Sequence, residues 1–196
     1  MSKANVLEEY VAKKIHWLTS SLPNSSSQHR AALAKLRRGV GYEPGELPEV
    51  WEVTLSDLPE ELLRKDREVS YEESAIHVAL TLFALHQQGK SEPVSRKNIS
   101  FGSAARRLVA SDKSNEQTIK RRFDAVLTSR DFVELSRHAR SLIQIAKAND
   151  VFLDYPRFAK DLYWYQNPEL KKKIMLQWGR DFWILKKDTQ NEKEGE

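Results

Sequence analysis

Apolar residues return every three to five positions along almost all of this chain, and nowhere do they alternate with polar ones over a sustained run. A helix buries one stripe of side chains and needs the first pattern; a half-buried strand needs the second. The pattern therefore predicts an all-α protein with no sheet. Val6, Tyr10, Val11, Ile15 and Leu18 mark a first helix over residues 4–20. Ala32, Leu33 and Leu36 share one side of a second helix, 28–38, with Gly39 in the C-cap role. Pro48 opens a short helix to residue 55, and another helix is expected to begin at Pro59.

Ser70-Tyr71-Glu72-Glu73 reads as a capping box, in which serine and glutamate satisfy each other's backbone N–H groups. It opens a helix to Gln88 with Ile76, Leu80, Phe83 and Ala84 facing a core, and Gly89 ends it. A second capping box stands at Ser114-Asn115-Glu116-Gln117. Its helix puts Ile119, Phe123, Val126 and Leu127 on one face. Further helices are predicted over 100–110, 132–149, from the N-cap Asp154 with Pro156 in its first turn, and over 168–185. Short loops favour antiparallel neighbours, so these eight to nine helices are expected to form two small packed bundles. The polar segment 90–98 divides an N-terminal subdomain, 1–92, from a C-terminal bundle, 93–185. The charged tail, 186–196, is expected to be disordered.

The last fifth of the chain is dense in aromatics. Tyr155, Phe158, Leu162 and Tyr165 recur at three and four residues, and Trp178 precedes Phe182 by four. This spacing points to core packing of the last two helices. Stacking of nucleic-acid bases on Trp164 or Trp183 is the alternative.

Several function classes are set aside by what the chain lacks. There is no cysteine, which removes disulfides, thiol catalysis and the usual structural zinc ligands, and suits a cytoplasmic protein. No run approaches the ~20 apolar residues of a membrane span. Residues 1–5 lack the apolar stretch of a secretory signal. His16, His29, His77, His86 and His138 are scattered without metal-ligand spacing. Gly39-Val40-Gly41 follows a helix, and Pro44 stands where a dinucleotide loop needs its third glycine. No catalytic set, cofactor or metal is expected.

Charge is strongly segregated. Residues 43–73 hold eleven acidic side chains against three basic, whereas 90–140 hold twelve basic against six acidic and 1–40 hold seven against two. Such asymmetry suits a polyanion on one face and protein or solvent on another. Lys120, Arg121 and Arg122 are consecutive, so they fan across roughly 200° of one helix. Arg130, Arg137 and Arg140 fall on one face of the next helix, and Arg106 and Arg107 stand on the preceding one. Lys35, Arg37 and Arg38 end the second helix. Guanidinium groups grip phosphate bidentately. The candidate nucleic-acid contacts are therefore Lys35, Arg37, Arg38, Arg107, Lys120, Arg121, Arg122, Arg137 and Arg140. Nothing among them selects a base, so binding without sequence preference is expected. The competing readings are ordinary surface pairing, as of Arg121 or Arg122 with Asp124 or Glu116, and a protein scaffold whose acidic block docks a basic partner.

A set of short motifs sharpens this. Ala31-Ala32-Leu33-Ala34-Lys35-Leu36-Arg37-Arg38-Gly39 leads to Gly41, Pro44-Gly45-Glu46 and Pro48-Glu49-Val50-Trp51. Ser100-Phe101-Gly102-Ser103-Ala104-Ala105-Arg106-Arg107-Leu108, Arg121-Arg122-Phe123 and Leu153-Asp154-Tyr155-Pro156 follow. Leu162-Tyr163-Trp164 and Trp178-Gly179-Arg180-Asp181-Phe182-Trp183 complete the order. Together, over residues 31–183, they resemble the CasB family, the small subunit of the type I-E CRISPR surveillance complex Cascade. The resemblance implies an all-helical fold of two bundles and a non-enzymatic part in antiviral defence. It implies guide RNA and both strands of target DNA as partners, with the backbone and large subunits and a second copy of the chain. The small subunit would brace the R-loop, including the displaced strand. Arg107, Arg121, Arg122, Arg137 and Arg140, with Lys35, Arg37 and Arg38, carry over. Arg137 and Arg140 are split where the family pattern expects neighbours.

Overall fold

A computed structural model describes residues 2–24, 26–63, 68–111 and 115–184. Among them are helices α1 (Lys3–Thr19), α2 (Ser27–Arg38), α3 (Pro48–Thr54), α4 (Tyr71–Gln87), α5 (Phe101–Ser111), α6 (Glu116–Leu127), α7 (Phe132–Ala148), α8 (Tyr155–Tyr165) and α9 (Pro168–Trp183). Residues 60–62 make one 3₁₀ turn where a helix is expected after Pro59. The described residues contain no strand. A single parallel bridge, Ser95 to Leu153, ties the segment after α4 to the loop before α8.

Side-chain caps set many of the helix starts. Ser2, Ser26, Ser70, Asp131, Asp154 and Asn167 each accept a backbone N–H from the first turn of the following helix. At Ser70 the box closes in both directions, with Glu73 accepting from the Ser70 N–H at 2.8 Å. A cap of this kind is worth about 1 kcal/mol. Ser114, which opens the second predicted box, and the tail 186–196 lie outside the described residues.

One continuous cluster of buried apolar side chains runs from Leu7 to Phe182. Helix α4 is buried on nearly every side, from Ala75 to Ala84, as a helix without a polar face must be. Helix α8 packs against α1, α4 and α9. The aromatics of the last fifth lie inside as their spacing predicts. Phe101 sits 5.0 Å from Phe158 and 4.9 Å from Trp178, and Phe123 stacks on Phe182 at 4.4 Å.

Gly39 corrects the sequence reading. Its φ is −70°, so it is right-handed and not the left-handed cap expected of it. Closeness explains the residue: a Cβ there would stand 3.0 Å from Thr81 Cγ2 and 3.1 Å from Val50 Cγ2. The left-handed position is Gly41, at φ +93°.

Asp161 on α8 is 2% exposed and accepts the Trp178 indole N–H at 2.8 Å. Burial, the largest influence, pushes its pKa from 3.8 up to about 6, against the pull of the Trp178 donor and the Arg157 charge. The native state therefore holds this proton more tightly than the unfolded chain. The resulting stability is full below pH 4 and is lost as pH rises through 6. Asp161→Asn keeps an oxygen for Trp178 and removes the ionisation. It is expected to be about 2 kcal/mol more stable than wild type at pH 8 and to show a flatter stability profile from pH 4 to 6. Urea unfolding across that range checks this; parallel profiles would contradict it.

Candidate nucleic-acid interface

The interface is built on α6 and α7, neighbours joined by a short turn. Helix α6 turns Ile119, Phe123 and Val126 into the core, which leaves Arg121 and Arg122 on the surface. Helix α7 buries Leu135, Ala139, Leu142, Ile143 and Ala146, which exposes Arg137 and Arg140. The Arg122 guanidinium donates to Ser141 Oγ, next in sequence to Arg140. The two arginine pairs thus belong to one surface. Arg140 in turn lies against the loop after α2, because a Cβ on Gly41 would come within 3.3 Å of its Nη1.

Electrostatics extend this surface beyond Arg140. Lys147, in the last turn of α7, has its pKa lowered by burial first and then by the charges of Arg37 and Lys90. Arg37, in the last turn of α2, is lowered by burial and by Arg38. Cations that depress one another in this way lie close together, and of these Lys90 is itself paired with Asp150 and Arg38 with Glu49. A positive track therefore runs from Arg121 and Arg122 through Arg137 and Arg140 to Lys147 and Arg37. Among the described residues, the side chains of Arg37, Arg121, Arg137 and Arg140 make no hydrogen bond or ion pair. Such groups can meet phosphate without first giving up a protein partner.

Other predicted residues are already paired. Arg38 grips both oxygens of Glu49 at 2.6 and 2.7 Å, and Lys35 pairs with Glu52. Part of the acidic block, on α3, thus neutralises the end of α2. Lys120 pairs with Glu116 within α6, and its Nζ lies 5.4 Å from the Trp183 ring. Exposed pairs of this type are worth ~0–1 kcal/mol. Arg107 is exposed on α5, and among the described residues no hydrogen bond or ion pair joins it to the track. Arg130 precedes α7 instead of sharing its face with Arg137 and Arg140, and it pairs with Glu134 at 3.3 Å. Arg106, read as surface charge, reaches back to the Phe182 carbonyl oxygen at 2.9 Å.

Lys147 is the residue that sequence reasoning missed, whereas its neighbour Lys90 is paired with Asp150. A lysine in the last turn of a helix reads as a complement to the helix dipole, and only the packing of both α2 and α7 on α4 shows its neighbours. Trp183, one of the two stacking alternatives, is 57% exposed, with its edge on Phe182. Among the described residues no group of three or more His, Asp or Glu side chains could hold a metal ion. No described helix is long and apolar enough to cross a membrane.

The family model of CRISPR-associated protein Cse2 matches residues 32–183. Among solved structures, CasB from Thermobifida fusca is similar at 25% identity and a TM-score of 0.74, covering 90% of this chain and 97% of that one. A CRISPR-associated protein of the Cse2 family from Thermus thermophilus has 19% identity and a TM-score of 0.65, over 93% and 98%. A chain of a CRISPR RNA-guided surveillance complex has 16% identity and a TM-score of 0.66, over 90% and 92%. At these last two identities the likeness speaks for the fold. No curated protein matches the chain.

Proposed function

The chain belongs to the CRISPR-associated Cse2 family, and on that premise we propose that it is a non-catalytic subunit of a type I-E CRISPR RNA-guided surveillance complex, acting in the cytoplasm. It holds the sugar–phosphate backbone of guide RNA and target DNA, and it steadies the R-loop, including the displaced strand. The backbone and large subunits and a second copy of the chain are its protein partners. The observation that carries this reading is the track itself: four exposed arginines on α6 and α7, continued by Lys147 and Arg37.

The physical role follows from the energetics of strand exchange. A guide–target hybrid is about as stable as the DNA duplex it replaces, so small protein contributions decide the balance. Cations on rigid helices contribute by releasing the counterions condensed on phosphate. They read no bases, which leaves sequence choice to guide pairing. The scaffold reading loses support from Glu49 and Glu52, which are engaged by the chain's own Arg38 and Lys35.

Fluorescence anisotropy with unrelated single and double strands tests the proposal. Binding to all of them is expected. If the track engages about four phosphates, the log–log salt slope should be about −3 for single strands and about −4 for duplexes. Affinity that depends on sequence, or no binding at low salt, would overturn the backbone-holding role.

A further inference from the structure

Beside the track lies a groove of about 410 Å³ between the loop after α2, α4 and α7. Val78 and Leu82 line it from α4, Phe132 and Val133 from α7, and Tyr42 from the loop, 51% exposed. Arg137 and Arg140 also line it, and Glu43 is the acidic residue there. His77 closes the α4 side with its Nε2 3.2 Å from the Gly39 carbonyl oxygen. The groove is thus an apolar slot whose α7 side carries two arginines of the phosphate track.

We propose that this groove receives one unstacked base of a strand lying on the track, with Arg137 and Arg140 on the adjoining phosphates. The inference rests on the backbone-holding role proposed above and adds a strand-type preference to it. A nucleotide has an anionic part joined to a flat, largely apolar part, and the groove offers the matching pair of surfaces. Its volume lies in the ~300–1,000 Å³ range of small-ligand sites. Stacking against aromatic and apolar side chains tolerates any base, so sequence independence is preserved. A duplex keeps its bases paired and cannot fill the slot; a displaced single strand can. An apolar segment of a partner protein would need carboxylates for both arginines. Arg137 and Arg140 belong to both the groove and the track, and that shared edge favours a polynucleotide.

The test compares a labelled single strand with the same sugar–phosphate chain bearing no bases, by anisotropy, on wild type and Ser136→Leu. Ser136 lines the groove, and its hydroxyl donates only to the Val133 carbonyl oxygen of its own helix. Leucine there fills the slot without adding an aromatic face. Wild type is expected to prefer the base-bearing strand about tenfold. In Ser136→Leu the preference should fall below about threefold while the salt slope is unchanged. Equal affinity of wild type for both strands, with salt dependence intact, overturns the groove and spares the track. A preference that survives Ser136→Leu overturns it too, assigning the stacking to another surface such as Trp183 and leaving the groove to a protein segment. If neither strand binds at low salt, the track fails and the groove falls with it.

Discussion

Gly102→Ala should lower the unfolding free energy by about 3 kcal/mol or more, among the largest effects of any single methyl group in this fold. Gly102 lies in the first turn of α5, where that helix crosses α9. A Cβ built on it stands 2.1 Å from the Trp178 carbonyl oxygen and 2.8 Å from the Trp178 carbonyl carbon. These are backbone atoms, so no rotamer change relieves the overlap and the two helices must move apart. Separation opens the packing of Phe101 on Trp178 and of Phe123 on Phe182. Gly179→Ala, on the facing helix, is the control. Its Cβ would meet only Leu127 Cδ1, at 4.0 Å. Because glycine is about 1 kcal/mol worse than alanine inside a helix, that change should be neutral or stabilising. Urea denaturation followed by tryptophan fluorescence compares the two. Equal midpoints would show that α5 and α9 do not approach as closely as described.

The second large effect concerns binding. Replacing Arg121, Arg122, Arg137 and Arg140 together by alanine should weaken single-strand binding on the order of a hundredfold at low salt. Stability should hardly change, because the side chains of Arg121, Arg137 and Arg140 make no described hydrogen bond or ion pair and Arg122 makes only a surface hydrogen bond to Ser141. Replacing Lys35 and Arg38 instead should cost less than about threefold. Those two cations already face Glu52 and Glu49, so their field is largely cancelled before a phosphate arrives. A double variant as severe as the quadruple one would move the interface to the end of α2.

Much of the fold is legible in the chain because its signals are local. Ser70 with Glu73, and Asp154 with Pro156, are complete statements about where a helix starts, since cap and capped group are three residues apart. The period of Tyr155, Phe158 and Leu162 fixes which face of α8 is buried, because side chains three and four apart must share a face. Facts that depend on distant segments are not legible. Gly39 reads as a helix terminator, yet what it needs is room beside Thr81 and Val50. Nothing near Arg38 or Lys35 announces that α3 will bring carboxylates to them. Lys147 and Arg37 lie more than a hundred positions apart, and only the assembled helices place them in one field. Of the nine residues nominated for binding, Arg121, Arg122, Arg137 and Arg140 gather with Arg37, whereas Lys35, Arg38 and Lys120 are held in ion pairs.

The proposed role requires the cations of α6 and α7 to meet phosphate directly. Its most direct test is the salt dependence of single-strand binding, measured in parallel on wild type and on the quadruple alanine variant. On a single strand each lost phosphate contact removes about 0.7 of a unit from the log–log slope. The variant is therefore expected to lose about three units while keeping its unfolding midpoint. An unchanged slope would mean that the track does not touch the strand, and the backbone-holding role would have to be assigned to another surface.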